Sequence, residues 1–334
     1  MTVLLLTGGL GYIGSHIAVE LLNSNDTYTV IIIDNLENSK LEMVDTIKKN
    51  KITKNNNEVL FYNIDMKNKD SIDKVFEKNK IDIVIHLAGY KSVNESIMDP
   101  ILYYNNNLVS TLNLIYVMKK YKCKNIIFSS SATVYGNSSV PYNESSTVGI
   151  GLTNPYGKTK YMQEEMLRDL YVSDNSWSIV ILRYFNPISQ KNNSLSEKTN
   201  GIPNNLFPYL VKVHNKEMDI LNIYGNKYNT TDGTCIRDFI HVLDLADSHI
   251  QLCDYIVMNK PHNIGLKTYN VGTGKGISVK QLIDAFEKEN NTKLNYQFVG
   301  KREGDLEISY ADVSLIYKDI GWKTMYEIKD MVKL

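Results

Sequence analysis

The first apolar segment of the chain, Val3–Thr7, is short, unbroken and closed by a glycine-rich loop, the pattern of a strand buried on both faces. In Tyr12–Leu22, Ile13, Ile17 and Leu21 recur at helical spacing and predict an amphipathic helix. Thr29–Ile33 is a second apolar strand, and Val59–Tyr62, Asp82–His86 and Asn125–Ser129 repeat the signal with helical stretches between them. Strands separated by helices need crossover connections, which cover both faces of a parallel sheet. The right-handed crossover rule then points to an α/β fold with a Rossmann-type, doubly wound sheet. Beyond the strand Ser178–Arg183 the regularity weakens. Residues 191–205 are polar with glycine and proline and predict a loop, whereas Leu243–Val257 and Ser278–Glu289 predict helices. The expected organisation is a Rossmann domain over 1–183 and a smaller lobe over 184–334, with some segments returning to the first domain.

Composition narrows the function classes. The chain has 334 residues, ample for a large core. Lys+Arg and Asp+Glu are both 37, so the formal charge is zero, which argues against a nucleic-acid binder but leaves room for a local basic pocket around a phosphate. Cys123, Cys235 and Cys253 are far apart and form no Cys-x-x-Cys or Cys/His cluster, so neither a disulfide framework nor a metal site is expected. No run of about 18 apolar residues is present to span a membrane, and the segment Thr2–Leu6 lacks the basic start and long apolar core of a secretion signal. These features together predict a cytoplasmic location.

Thr7-Gly8-Gly9-Leu10-Gly11-Tyr12-Ile13-Gly14 joins the first strand to the first helix. Glycines at Gly8, Gly11 and Gly14 permit a tight turn, a close approach of backbone N–H groups to a pyrophosphate, and close helix–sheet packing. Asp34 ends the second strand at the spacing of a ribose-binding acid. A carboxylate accepts hydrogen bonds from a ribose 2′-hydroxyl and repels a 2′-phosphate. No arginine lies nearby, although Lys40 does, so NAD is expected rather than NADP.

Tyr156 and Lys160 form Tyr-x-x-x-Lys on one helix face, behind Asn154 as N-cap and Pro155 at the first helical position. A nearby ammonium and an oxidised nicotinamide ring would favour the phenolate of such a tyrosine, making it a base. With 23 Tyr and 33 Lys in the chain, chance alone gives about two such spacings. Tyr116 and Lys120 are the other, read as an ordinary helix. What distinguishes Tyr156 is the serine-rich strand end just upstream, Phe128 to Gly136, because ligands in such sheets bind outside the carboxyl ends of strands. Ser131 is there to share a substrate oxygen with Tyr156.

These stretches, together with Asp34-Asn35-Leu36, His86–Ser96, Arg183–Pro187, Gly201–Leu206, Arg237–His241 and Arg302–Asp305, resemble in one order the UDP-glucose/UDP-galactose 4-epimerases of the extended short-chain dehydrogenase/reductase superfamily. The resemblance implies reversible C4 epimerisation of UDP-galactose and UDP-glucose through a 4-keto sugar, with NAD retained. Tyr156 then takes the C4 hydroxyl proton while hydride passes to the nicotinamide, Ser131 positions or relays that proton, and Lys160 orients the nicotinamide ribose. The implied cofactor positions are Gly8, Gly11, Tyr12, Ile13, Gly14, Asp34, Asn35, Asn38, Ser39, Asp65, Met66, Leu87, Ala88, Gly89, Lys91, Asn106 and Phe185, with Tyr156 and Lys160. The implied substrate positions are Lys91, Ser131, Tyr156, Asn186, Asn205, Leu206, Asn222, Tyr224, Arg237, Arg302, Asp305 and Ser309, the arginines being natural diphosphate partners. Members restricted to unmodified hexoses often carry tyrosine where this chain has Ser309. A small residue there is associated with room for an N-acetyl group at C2, whereas an alignment shifted by one residue puts Tyr310 there and reverses the inference. The family commonly dimerises through helices matching 103–121 and 155–171, which predicts a homodimer. Relatives continue past Gly321-Trp322 with a longer terminal helix than this chain has.

Three rival readings differ in residues. A 4,6-dehydratase needs an acid pair where this chain has Ala132 and Thr133. A UDP-uronate or UDP-pentose epimerase shares the catalytic residues and differs in what contacts C5. A non-catalytic NAD-binding protein has no need of Ser131, Tyr156 and Lys160 together.

Overall fold

The computed structural model describes residues 2–197, 203, 205–302 and 304–334; of the motif residues above, Gly201, Ile202, Asn204 and Glu303 lie outside the described residues. The chain folds as two compact units, one of Met1–Gly136, Val148–Arg183 and Ala246–Tyr269, the other of Asn137–Thr147, Tyr184–Leu245 and Asn270–Leu334.

Strands β1 (Thr2–Thr7), β2 (Tyr28–Asp34), β3 (Glu58–Asn63), β4 (Ile83–His86), β5 (Asn125–Ser131), β6 (Ser178–Tyr184) and β7 (Leu266–Val271) form one sheet in the order β7-β6-β5-β4-β1-β2-β3. The pairs β1–β2, β2–β3, β1–β4 and β4–β5 are parallel. This is the doubly wound Rossmann order predicted from the alternation of strands and helices, with its switch point between β1 and β4. Strands β2, β4 and β6 are buried along their whole length, which is why they read as continuous apolar runs. β7 was not predicted. It is an edge strand whose first three residues are only half-buried, so its sequence mixes lysine, threonine and asparagine with apolar residues. Ile31, Val84, Leu114, Phe128, Leu167, Trp177 and Ile181 are among the core side chains of this unit. Each such aliphatic contributes on the order of 1.5–3 kcal/mol by leaving water.

The helical stretch predicted over 103–121 is interrupted. Pro100–Tyr103 is α-helical, Tyr104–Leu108 is a π turn, and Val109–Lys120 resumes the α-helix. The extra residue in the π turn brings Asn106 and Asn107 into the interior, both buried. Pro155–Ser173 is one helix, opened by Asn154, whose side chain accepts from the Gly157 N–H at 2.8 Å.

The second unit has its own core, including Phe207, Leu210, Ile223, Phe239, Leu282 and Phe286. Its strand Ile236–Arg237 lies between Ile277–Ser278 and Ile308–Ser309. It pairs in parallel with the latter, with Ser309 in register with Arg237. Within the described part of 191–205 the regular element is a single 3-10 turn, Asn193–Leu195.

Candidate active site

The chemistry-bearing segments of the first unit collect where the parallel strands end. β1 runs into Gly8, whose φ of 68° is a left-handed conformation natural to glycine. A Cβ on Gly14 would lie 2.6 Å from Gly9 Cα, so the helix Tyr12–Asn23 packs against the loop only because Gly14 has no side chain. At Gly11 the corresponding contact is a single one, 3.3 Å to the Gly8 carbonyl, so its outer side is open. Gly11 caps the helix without a side-chain bond, and the first turn, with Tyr12 and Ile13, carries no acid. An open glycine face over a helix N-terminus that lacks its own carboxylate fits a pyrophosphate.

Asp34 closes β2 and is buried. Its Oδ2 accepts from Leu10 N (3.1 Å), and Oδ1 accepts from Leu36 N (3.0 Å) and Ser39 Oγ (2.8 Å). Leu36 pays for that turn with a φ of 63°. Asn35 donates to Glu37, and Asn38 is exposed. After β3, Asp65 accepts from Lys67 N at 2.8 Å and Met66 is buried. After β4, Leu87, Ala88 and Gly89 lead to Lys91, whose Nζ stands 6.0 Å from the Tyr12 ring centroid. Asn106 donates to Asn107 Oδ1 at 3.2 Å. These residues fit a dinucleotide with an adenosine ribose at Asp34.

Ser131 is the last residue of β5, two residues further along than predicted, and it hydrogen-bonds Tyr156. Burial pushes the Tyr156 phenol above its ordinary value, and the bond with Ser131 pulls it back in part. Lys160 is 4% exposed. Its Nζ donates to the Ser129 carbonyl at 2.6 Å and lies 4.9 Å from the Phe128 ring centroid. Burial pushes its ammonium down to about 7, against the pull of the Glu164 carboxylate. With the chain's own residues alone, desolvation outweighs the lowering expected from sequence. His86, at the end of β4, is not a proton donor here. Burial and Lys160 push it down to about 3, and its ring sits between Thr7 Oγ1 (2.7 Å) and Thr111 Oγ1 (2.9 Å).

The second unit carries the other implied positions. Phe185 is buried and Asn186 opens a short exposed strand end. Arg237 Nη2 lies 3.3 Å from Asp305 Oδ1, and Nη1 donates to the Ile236 carbonyl at 2.8 Å. The Arg302 guanidinium stacks 3.7 Å from the Tyr224 ring centroid. Ser309 is buried and bonds Tyr142. Arg237, Asp305 and Ser309 thus come together, as do Tyr224 and Arg302. Asn205, just before Leu206, donates instead to Glu197 (2.9 Å), and Asn222 accepts from Gln297 (2.8 Å).

Sequence reasoning missed Asn107, Gln163, Glu164 and Arg183. Asn107 bonds the backbone of Tyr90 through both side-chain atoms and donates to Thr159 Oγ1 (3.0 Å), tying the loop after β4 to the helix of Tyr156. The available signal was a polar stripe, Tyr156, Lys160 and Glu164, on a helix face that should have been apolar.

A family model described as GDP-mannose 4,6 dehydratase matches residues 5–334. UDP-glucose 4-epimerase of Bacillus subtilis (strain 168) is 43% identical over 331 residues, covering 98% of this chain and 94% of the relative. The crystal structure of UDP-glucose 4-epimerase from Bifidobacterium longum in complex with NAD+ and UDP is 44% identical and superposes with a TM-score of 0.92, over 99% of this chain and 96% of that one. The UDP-Glc/GlcNAc 4-epimerase of Campylobacter jejuni is 31% identical with a TM-score of 0.83, over 100% and 97%. On sequence and fold alike, the chain belongs to the UDP-glucose 4-epimerase family of the extended short-chain dehydrogenases/reductases.

Proposed function

We propose that the chain is an NAD-dependent UDP-glucose 4-epimerase, an isomerase interconverting UDP-galactose and UDP-glucose through a transient 4-keto sugar. The meeting of Ser131 and Tyr156, one helical turn from Lys160, at the end of β5 carries this reading. Tyr156 Oη takes the proton from the C4 hydroxyl and later returns it, and Ser131 Oγ bridges the two oxygens. Lys160 orients the nicotinamide ribose. Bound NAD supplies a hydride acceptor and a positive charge that favours the Tyr156 phenolate. Asp34 selects it over NADP, so NADP released from the denatured protein would contradict this assignment. The division of labour is a cofactor domain mainly over 1–183 and a mainly substrate-binding lobe over 184–334, with some segments returning to the first domain; Arg237 and Arg302 of the second unit hold the diphosphate.

The family model bears a dehydratase's name, but elimination of water across C5–C6 needs an acid and a base beside the substrate. Ala132 and Thr133 provide neither. The test is direct: incubate the protein with UDP-galactose, add no cofactor, and resolve the sugar nucleotides by chromatography. UDP-glucose is the expected product. A folded protein that makes none even with NAD supplied sinks the proposal and leaves a uronate or pentose epimerase, or a non-catalytic NAD binder.

Ser309 favours a second substrate. It is in register with Arg237, a proposed diphosphate partner, and a small side chain at this position supports acceptance of an N-acetyl group. UDP-GlcNAc is therefore epimerised too; full activity on UDP-glucose with none on UDP-GlcNAc refutes this. Exposed Ile97, Met98, Ile101, Leu112 and Met162 on the helices of the first unit support a homodimer. A single monomer mass in analytical ultracentrifugation speaks against it. Among the described residues no helix is long and apolar enough to cross a membrane. The free cysteines Cys123, Cys235 and Cys253 support work in the reducing cytoplasm.

A further inference from the structure

Glu164 is a carboxylate with no exposure to water, one turn beyond Lys160. Burying a lone charge is costly, so its partners indicate why it is there. Arg183 on β6 meets it with both ends of its guanidinium, Nε to Oε1 at 3.0 Å and Nη2 to Oε2 at 2.7 Å. Ser130 Oγ donates to Oε1 at 2.5 Å, and Arg168 reaches Oε2 at 3.3 Å. Arg183 itself is buried and lies 4.8 Å from the Tyr135 ring centroid.

The pattern of these bonds is what matters. Tyr156, Lys160 and Glu164 stand at i, i+4 and i+8 on one helix face. They engage three consecutive residues of β5: Tyr156 bonds the Ser131 side chain, Lys160 the Ser129 carbonyl, and Glu164 the Ser130 hydroxyl. Ser130 and Arg183 belong to neighbouring strands of the sheet, so Glu164 binds helix and both strands at one point. A slip of the helix along β5 breaks all three bonds together.

We propose that Glu164 is a positioning residue of the active site, which with Ser130 and Arg183 holds the end of β5 in register with the helix carrying Tyr156 and Lys160. The role does not end with packing. Among the described residues, His86 from β4 also faces Lys160 and is held neutral, and Tyr156 stands one turn earlier on the same helix. Glu164, four residues on along the same helix face, is the anion that opposes the desolvation of Lys160 in its buried site. The inference rests on the epimerase reading of the same site.

Three variants test it. Ser130→Ala removes the strand's bond to Glu164 and leaves the ion pair intact. The expected result is a wild-type fold and cofactor content, a kcat reduced three- to tenfold and an unchanged KM. Glu164→Met with Arg183→Met removes both charges at similar volume, so neither partner is left buried alone. In that protein kcat falls at least tenfold. In Glu164→Gln, which keeps Arg183, Lys160 titrates lower than in the wild type, followed by NMR of lysine labelled with 13C at Cε and assigned by its loss in Lys160→Met. Ser130→Ala with wild-type kcat overturns the register role. A Lys160 titration unmoved in folded Glu164→Gln overturns the electrostatic role, and a wild-type kcat in the folded double variant overturns the positioning role. A wild-type protein inactive on UDP-galactose instead removes the epimerase reading, while the lysine titration still reports on Glu164 itself.

Discussion

Tyr116 and Lys120 repeat the spacing of Tyr156 and Lys160 earlier in the chain, also on a helix of the first unit, yet their surroundings share almost nothing. Tyr116 is 65% exposed. Lys120 reaches across water-facing surface to the Asp73 carboxylate, with Nζ–Oδ distances of 2.6 and 2.7 Å, and that bond raises its pKa. Among the described residues no carboxylate bonds the Lys160 ammonium. It donates to a backbone carbonyl in the interior, and burial lowers its pKa to about 7. The spacing provides only a shared helix face. What that face meets, an aspartate in water or the serine-rich end of a central strand, decides whether the pair is a surface contact or chemistry.

The contrast can be broken at several points. The largest effect is expected from the loop beneath the site: Gly14→Ala forces a Cβ to 2.6 Å from Gly9 Cα. That costs about 1–3 kcal/mol in overpacking and abolishes NAD retention, read as the absorbance of cofactor released on denaturation. Gly11→Ala, whose Cβ meets the Gly8 carbonyl at 3.3 Å, unfolds closer to the wild type than Gly14→Ala and still loses NAD, because the methyl fills the proposed pyrophosphate face. Retention of NAD by both proteins contradicts the loop's assignment. Next is Ser131→Ala, which removes a hydrogen bond to the tyrosine and lowers kcat by about 10- to 100-fold with KM little changed.

A smaller effect separates the two lysines by pH. Unfolded, Lys160 binds its proton below about 10.5; folded, it does so only below about 7. Between these values the unfolded chain holds more protons, so this residue makes the folded state less stable as pH falls from 10.5 to 7, with no further loss below that. In urea unfolding of the cofactor-free protein, wild type should therefore gain stability relative to Lys160→Met from pH 7 to pH 10. A pH-independent difference contradicts the buried, depressed lysine. Lys120→Met, the smallest effect, changes neither kcat nor NAD content.

Much of this was legible in sequence because the physics was local. β1, β2, β4 and β6 are buried on both faces and read as apolar runs, Asn154 and Pro155 mark a helix start, and Asp34 falls at the end of a strand. β7 was illegible because an edge strand needs no apolar face on its outer side. The π turn at Tyr104–Leu108 left no mark because helical periodicity shifts by only one residue. Glu164 and Arg183 escaped notice for a different reason. Their meaning lies in each other, across 19 residues of sequence, and neither residue type suggests burial until the sheet brings them together.

Environment, not spacing, sets Tyr156 apart as the proposed proton-transfer residue. The most direct test is to measure UDP-galactose conversion by Tyr156→Phe and Tyr116→Phe, each with its cofactor content and fold checked. Tyr156→Phe is expected to retain NAD and to lose kcat by about 10²- to 10⁴-fold, while Tyr116→Phe matches the wild type. A Tyr156→Phe protein with near wild-type turnover would contradict it.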